Sequence, residues 1–197
     1  MSESQQPHGA ASDPTDGLAV RLVRPDEYDE VAALSLRAYE LEYEISAEYR
    51  ASILAVAERA AEHEVWVAAD AASGALLGAV ATPRPGRTIS PLARPGELDF
   101  RLLAVDPSAR GRGVGARLTR HVIELARQRR LDRVVMNSGP QMVGAHALYA
   151  KLGFTRLHDR EREIVDGGRR FRLLAFTIDV DAADEAPSHD DELGIAS

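Results

Sequence analysis

The 197-residue chain contains no cysteine, which excludes disulfides, thiolate metal sites and a cysteine nucleophile. Its six histidines (His8, His63, His121, His146, His158 and His189) are scattered, and none forms the close helical pair that suits zinc. No metal site is expected. No apolar run approaches the roughly 20 residues that cross a bilayer, so no membrane partner is expected either. The opening stretch MSESQQPHGAASDPTDG lacks a basic region followed by an apolar core, unlike a secretion signal. Cytoplasmic localisation is the expectation. No internal repeat and no break in composition divides residues 18–180.

What is present describes an ordinary globular chain, with 45% hydrophobic and 28% charged residues. The length suits one domain. Residues 1–17 carry Glu3, Asp13 and Asp16 and no Lys or Arg, a charge of −3. Residues 181–197 carry six acids and again no Lys or Arg, a charge of −6. Removing both from the total of −7 leaves +2 on residues 18–180. The two ends are polar and poor in large apolar residues, so they are expected to be disordered tails, the second acidic.

Alternation in LAVRLVR (18–24) predicts a first strand. Tyr28, Val31, Leu34, Ala38 and Leu41 recur at helical spacing, and Ser46 caps a second helix whose stripe is Tyr49, Ile53, Val56 and Ala60. EVWVAAD (64–70) and ALLGAVAT (75–82) predict a hairpin, with Trp66 in the core. Four prolines and two glycines make residues 83–96 a loop. ELDFRLLAV (97–105) is the next strand. Val114, Leu118, Val122 and Leu125 mark a helix, DRVVMN (132–137) a buried strand, and QMVGAHALYAKL a helix that begins near Pro140 and stops at Gly153. Two last strands flank Asp166–Gly167–Gly168, a strong hairpin turn. The sum is an α/β mixed sheet of about seven strands flanked by about four helices, parallel where a helix links two strands.

SARGRGVGARL, residues 108–118, concentrates glycine and arginine between a strand and a helix. The first N–H groups of such a helix lack intrahelical partners, the helix dipole adds positive charge, and glycine lets a ligand approach the backbone. Arg110 and Arg112 are placed to add charge-assisted bonds to phosphate oxygens. A pyrophosphate cradle and a plain flexible turn both fit the segment alone. A Walker loop does not fit, because Gly115 is followed by Ala116 and Arg117; neither does a dinucleotide fingerprint, which Leu118 breaks.

LLAVDPSARGRGVGARL, followed after one helix and one strand by AHALYAKLGF, resembles the GNAT superfamily of acyl-CoA N-acyltransferases. Arg110, Gly113 and Gly115 match its Arg/Gln-x-x-Gly-x-Gly/Ala signature. The resemblance covers the element order of residues 18–180, with its motifs in 97–154. It implies acetyl-CoA as cosubstrate, with the backbone of Gly111, Arg112, Gly113, Val114, Gly115 and Ala116 on the pyrophosphate. Leu103, Ala104 and Val105 would offer main-chain groups to the pantetheine arm, on a strand splayed from its neighbour. The thioester would lie between the strands that end near Val105 and Asn137. Tyr149 precedes x-x-Leu-Gly-Phe, as in many members, and is the candidate acid for the departing thiolate. One departure is Met142, at a position where many members carry an Asn that bonds to the cofactor; a thioether donates no such bond.

Glu97, Asp99, His146 and a water chain all stay open as the general base. Glu97 and Asp99 share strand parity, and His146 lies near Tyr149 on the same helix. Eight arginines between Arg110 and Arg133 read as the solvent face of one helix with a few phosphate contacts, not as a nucleic-acid surface. Two functions follow. The first is acetyl transfer from acetyl-CoA to a primary amine, on a small molecule or peptide, by direct attack. The alternative is a non-catalytic acyl-CoA sensor. The acceptor is not encoded in any motif, and the oligomeric state is not either; a homodimer stays open.

Overall fold

Alternating side chains in LAVRL form β1 (Leu18–Leu22), and Pro25 opens a short turn into α1 (Tyr28–Glu40). The computed structural model describes residues 17–180. Apart from Gly17, the two stretches expected to be tails lie outside the described residues. The chain continues through α2 (Ala47–Leu54), α3 (Val56–Glu62), β2 (His63–Asp70), β3 (Leu76–Pro83), β4 (Glu97–Val105) and α4 (Val114–Gln128). It closes with β5 (Arg133–Ser138), α5 (Val143–Lys151), β6 (Thr155–Arg156), β7 (Arg162–Asp166) and β8 (Arg169–Asp179). One sheet runs β1-β2-β3-β4-β5-β8-β6, with β7 paired to β8. This is the expected mixed α/β architecture, with eight strands and five helices among the described residues against the seven and four expected.

Two layers of helices cover the sheet. Val114, Leu118, Val122 and Leu125 of α4 lie in one core with Leu98, Phe100, Val134 and Met136 of the strands. On the opposite face Val31, Leu34 and Ala38 of α1, with Ile53 and Val56, pack over Val65, Val67 and Ala79. Each buried side chain of this size contributes roughly 1.5–3 kcal/mol. Trp66 packs against the first core, its Nε1 donating to Thr82 Oγ1 at 2.9 Å.

Several local expectations are corrected. The second helix breaks at Ala55, whose ψ of 55° is not helical, and Arg59 donates to the Ser52 and Ile53 carbonyls released there. Leu41 is 65% exposed instead of facing the core, because α1 ends at Glu40. β1 stops at Leu22, and α5 starts at Val143 instead of near Pro140. FTRLHDREREIV is two strands separated by a turn at His158–Arg160, where Arg156 pairs with Glu161. Among the described residues only β4 and β5 pair in parallel; β8 inserts between β5 and β6, and β1 pairs antiparallel with β2. The Asp166–Gly167–Gly168 turn forms as expected, with φ of 54° and 77° at the glycines.

Candidate active site

The site begins where two strands part. β4 and β5 pair from Glu97–Arg133 to Phe100–Met136 and no further, while β5 continues to Ser138 against β8. The cause is a bulge. Between the pairs Ala81–Arg101 and Ala79–Ala104, β3 has one residue and β4 has two. Leu102 takes up the excess with φ of 53°, a conformation few non-glycine residues adopt. From Leu102 to Val105 the β5-side edge of β4 has no strand partner among the described residues. A cavity of about 1350 Å³ opens there, lined by β4 from Phe100 to Val105 and by β5 from Met136.

The end of β4 is fixed by Asp106. Its N–H donates to the Leu77 carbonyl at 2.9 Å, and its carboxylate accepts from the Ser108 backbone and hydroxyl and from Arg37. The Ser108 hydroxyl and the Arg37 guanidinium hold its pKa down at about 2. The chain then turns through Gly111 and Gly113, with φ of 76° and 75°. Gly113 caps α4 without a side chain. The N–H groups of Gly111 and of Gly113 through Ala116 have no acceptor among the described residues, and all five residues line the cavity. A second close approach fixes the helix to the sheet: a Cβ on Gly78 would lie 2.7 Å from the Ala104 carbonyl oxygen and 2.8 Å from Val114 Cγ1.

The two arginines of this turn are differently occupied. Arg110 lines the cavity but donates to Glu42 at 2.5 Å, at the end of α1. Arg112 is not on the cavity wall; its guanidinium donates at 2.9 Å to Oδ2 of Asp70, the last residue of β2. In this structure the Arg112 side chain, expected on phosphate, is held by that carboxylate instead. Leu103, Ala104 and Val105 line the cavity as expected.

Tyr149, on α5, is 3% exposed, its ring packed among Phe100, Phe154 and Phe176 at 6.2, 5.6 and 5.8 Å. It lines the cavity, and its hydroxyl makes no hydrogen bond among the described residues. Burial pushes its pKa up, with Tyr43 and Tyr49 adding to the shift. Tyr39, Tyr43 and Tyr49 line the same cavity, and Tyr39 donates to the Leu103 carbonyl at 3.4 Å. No sequence motif marks these tyrosines as site residues; the available signal is that three of the chain's five tyrosines fall within residues 39–49. Met142 also lines the cavity, as the N-cap of α5.

The three side chains considered as bases face elsewhere. Asp99 is buried and accepts from the Ile89 N–H at 3.1 Å and the Ser90 hydroxyl at 2.7 Å, anchoring the proline-rich loop. Glu97 pairs with Arg160, 2.8 Å between Oε1 and Nη2. His146 contacts Ser138 Oγ at 3.1 Å and Phe176, and burial lowers its pKa. None of the three lines the cavity.

The family model described as Acetyltransferase (GNAT) family matches residues 28–154. Glucosamine 6-phosphate N-acetyltransferase 1 of Oryza sativa subsp. japonica is 39% identical over 106 residues, 54% of this chain and 61% of that protein. N-alpha-acetyltransferase RimI of Mycobacterium tuberculosis is 34% identical over 105 residues, 53% of this chain and 61% of that protein. The chain thus spans about three fifths of the length of each. A putative acetyltransferase from Salmonella typhimurium, solved with its cofactor acetyl-CoA, shares the fold at TM-score 0.60 and 16% identity, over 91% of this chain and 98% of that one. The family match runs from the first residue of α1 to beyond the end of α5, well over half of the sequence, and the chain therefore belongs to the GNAT acetyltransferase family.

Proposed function

We propose that this chain is an N-acetyltransferase that moves an acetyl group from acetyl-CoA to a primary amine, by direct attack with both substrates bound. The observation that carries this reading is the parting of β4 from β5 beside five N–H groups unbonded among the described residues. Acetyl-CoA supplies the acetyl group as an activated thioester. The N–H groups of Gly111 and Gly113–Ala116 would hold its pyrophosphate, and the free β4 edge would bond to its pantetheine arm. The helix dipole favours the same anion, and Arg110 would add its charge on exchanging Glu42 for phosphate.

The reaction forms a nitrogen–acyl bond, breaks the carbon–sulfur bond, takes one proton from the amine and gives one to sulfur. Tyr149, which lines the cavity, would make the last transfer. Its raised pKa keeps the phenol protonated at neutral pH. The burial that raises it also leaves a departing thiolate poorly solvated, so the proton affinity of the sulfur rises too. With Glu97, Asp99 and His146 turned away, the amine arrives neutral or loses its proton to water. The two curated relatives bear names that specify amine acetylation, one on an amino sugar phosphate and one on an α-amine. Both support a primary amine as acceptor.

A second reading, acyl-CoA binding without turnover, rests on Met142, which offers no hydrogen bond at the cavity wall. Thiol release from acetyl-CoA across a panel of amines separates the two. Amine-dependent release supports transfer; tight CoA binding without release for any amine contradicts it.

A further inference from the structure

Arg101 is the first β4 residue beyond the last β4–β5 pair, at the apex of the gap that the proposed reaction occupies. Its backbone is held on both sides, by buried Asp99 with its two loop contacts and by the Leu102 bulge. The side chain is exposed and lines the cavity. It has neither an ion pair nor a hydrogen bond among the described residues. It also lines a smaller cavity with Arg59, Glu58 and Glu62, where burial lowers the Arg59 pKa and the Arg101 charge lowers it further.

The surrounding wall does not neutralise it. Arg169 is paired with Glu44 at 2.7 Å and Arg170 with Glu163 at 3.3 Å, so those charges are met. Arg162, also exposed on the cavity wall, has no partner among the described residues. The remaining acid of this wall, Asp166, accepts from the Ser46 hydroxyl at 2.5 Å. A guanidinium on a fixed backbone, unpaired among the described residues and on the wall of a concave site, is a ready partner for a planar or tetrahedral oxyanion, which it can grip through two parallel N–H bonds.

We propose that the acceptor amine also carries an oxyanion, a carboxylate or a phosphate, and that Arg101 binds it while the amine faces the gap between β4 and β5. This rests on the acetyl-transfer reading above. Polycationic amines are then poor acceptors, because the same wall repels them.

The test uses small acceptors that differ in one group: ethanolamine (neutral hydroxyl), putrescine (second cation), β-alanine (carboxylate) and phosphoethanolamine (phosphate). Thiol release is measured with the wild type and with Arg101→Gln and Arg101→Lys. The expected result is preference for β-alanine or phosphoethanolamine, the better of the two identifying the oxyanion. Arg101→Gln should raise KM for that acceptor about tenfold to a hundredfold, the worth of a charge-assisted contact, with kcat and ethanolamine kinetics little changed. Arg101→Lys should recover part of the loss. Preference for putrescine, or an equal loss with ethanolamine, overturns the assignment. A second measurement needs no turnover: inorganic phosphate and acetate are titrated by calorimetry into protein already saturated with CoA. Binding to the wild type that Arg101→Gln abolishes supports the oxyanion site; no binding, or equal binding in both, overturns it. If no amine releases thiol, the acetyl-transfer reading fails, and the titration still decides the role of Arg101.

Discussion

Replacing Tyr149 with Phe separates its chemistry from its packing. The ring makes three aromatic contacts, with Phe100, Phe154 and Phe176, and all survive the change. The hydroxyl has no hydrogen bond to lose among the described residues, so stability should stay within about 0.5 kcal/mol of wild type. Losing a general acid typically costs ~100- to 10,000-fold in rate, or about 3–5 kcal/mol at 1.36 kcal/mol per factor of ten. Turnover should therefore collapse while melting temperature and CoA affinity hold. The assay is thiol release at saturating acetyl-CoA with the best amine found, beside calorimetry of CoA binding. The pH profile adds an independent check. Because burial raises the Tyr149 pKa, the acid form persists at high pH, and wild-type turnover should show no alkaline fall up to about pH 10, the ordinary tyrosine value. Full activity in the folded Phe variant would refute the acid role and leave Tyr149 a packing residue.

Other consequences follow from the supports of the site. Gly78→Val places atoms against the Ala104 carbonyl and Val114; overpacking of this kind costs about 1–3 kcal/mol, and a thermal melt should show it as a drop of roughly 2–12 °C. Glu97→Gln strands Arg160, whose side chain is 9% exposed; about 3–5 kcal/mol of stability should be lost, with CoA affinity in the surviving folded protein unchanged. Glu27, bonded by Arg21 and by the Arg24 N–H, and Asp106 both have pKa values lowered to about 2. Their contribution to stability is complete above their unfolded pKa of about 4 and is lost as pH falls through about 2. Denaturant titrations between pH 5 and pH 2 should show this decline, and Glu27→Gln should flatten it.

Periodicity carried most of the architecture. The α4 stripe of Val114, Leu118, Val122 and Leu125 is buried as its spacing predicts, and two consecutive glycines mark the β7–β8 turn. Pattern fails where individual side-chain contacts, which periodicity does not encode, decide the outcome. The break at Ala55 is held by Arg59 reaching back to carbonyls, and the His158–Arg160 turn by Arg156 and Glu161. The same limit governs the site. The glycine turn was legible because φ above zero is a local demand, and it does present unbonded N–H groups. The fate of Arg112 was not, since Asp70 lies 42 residues away. Parity placed Glu97 and Asp99 on one side of β4, but their partners, Arg160 and the Ile89–Ser90 loop, are set by tertiary packing. The isolation of Arg101 is likewise a property of the assembled wall.

The central claim is that the glycine turn and the free edge of β4 seat acetyl-CoA, and calorimetry of acetyl-CoA binding tests it most directly. Wild type is compared with Gly113→Glu and with Gly113→Ala, each first shown to melt cooperatively. At φ of 75° both substitutions strain the backbone, so alanine reports strain and glutamate adds bulk and negative charge at the pyrophosphate. The account predicts measurable binding by the wild type, weaker binding by Gly113→Ala and none by Gly113→Glu. Unchanged acetyl-CoA affinity in a folded Gly113→Glu variant would contradict it.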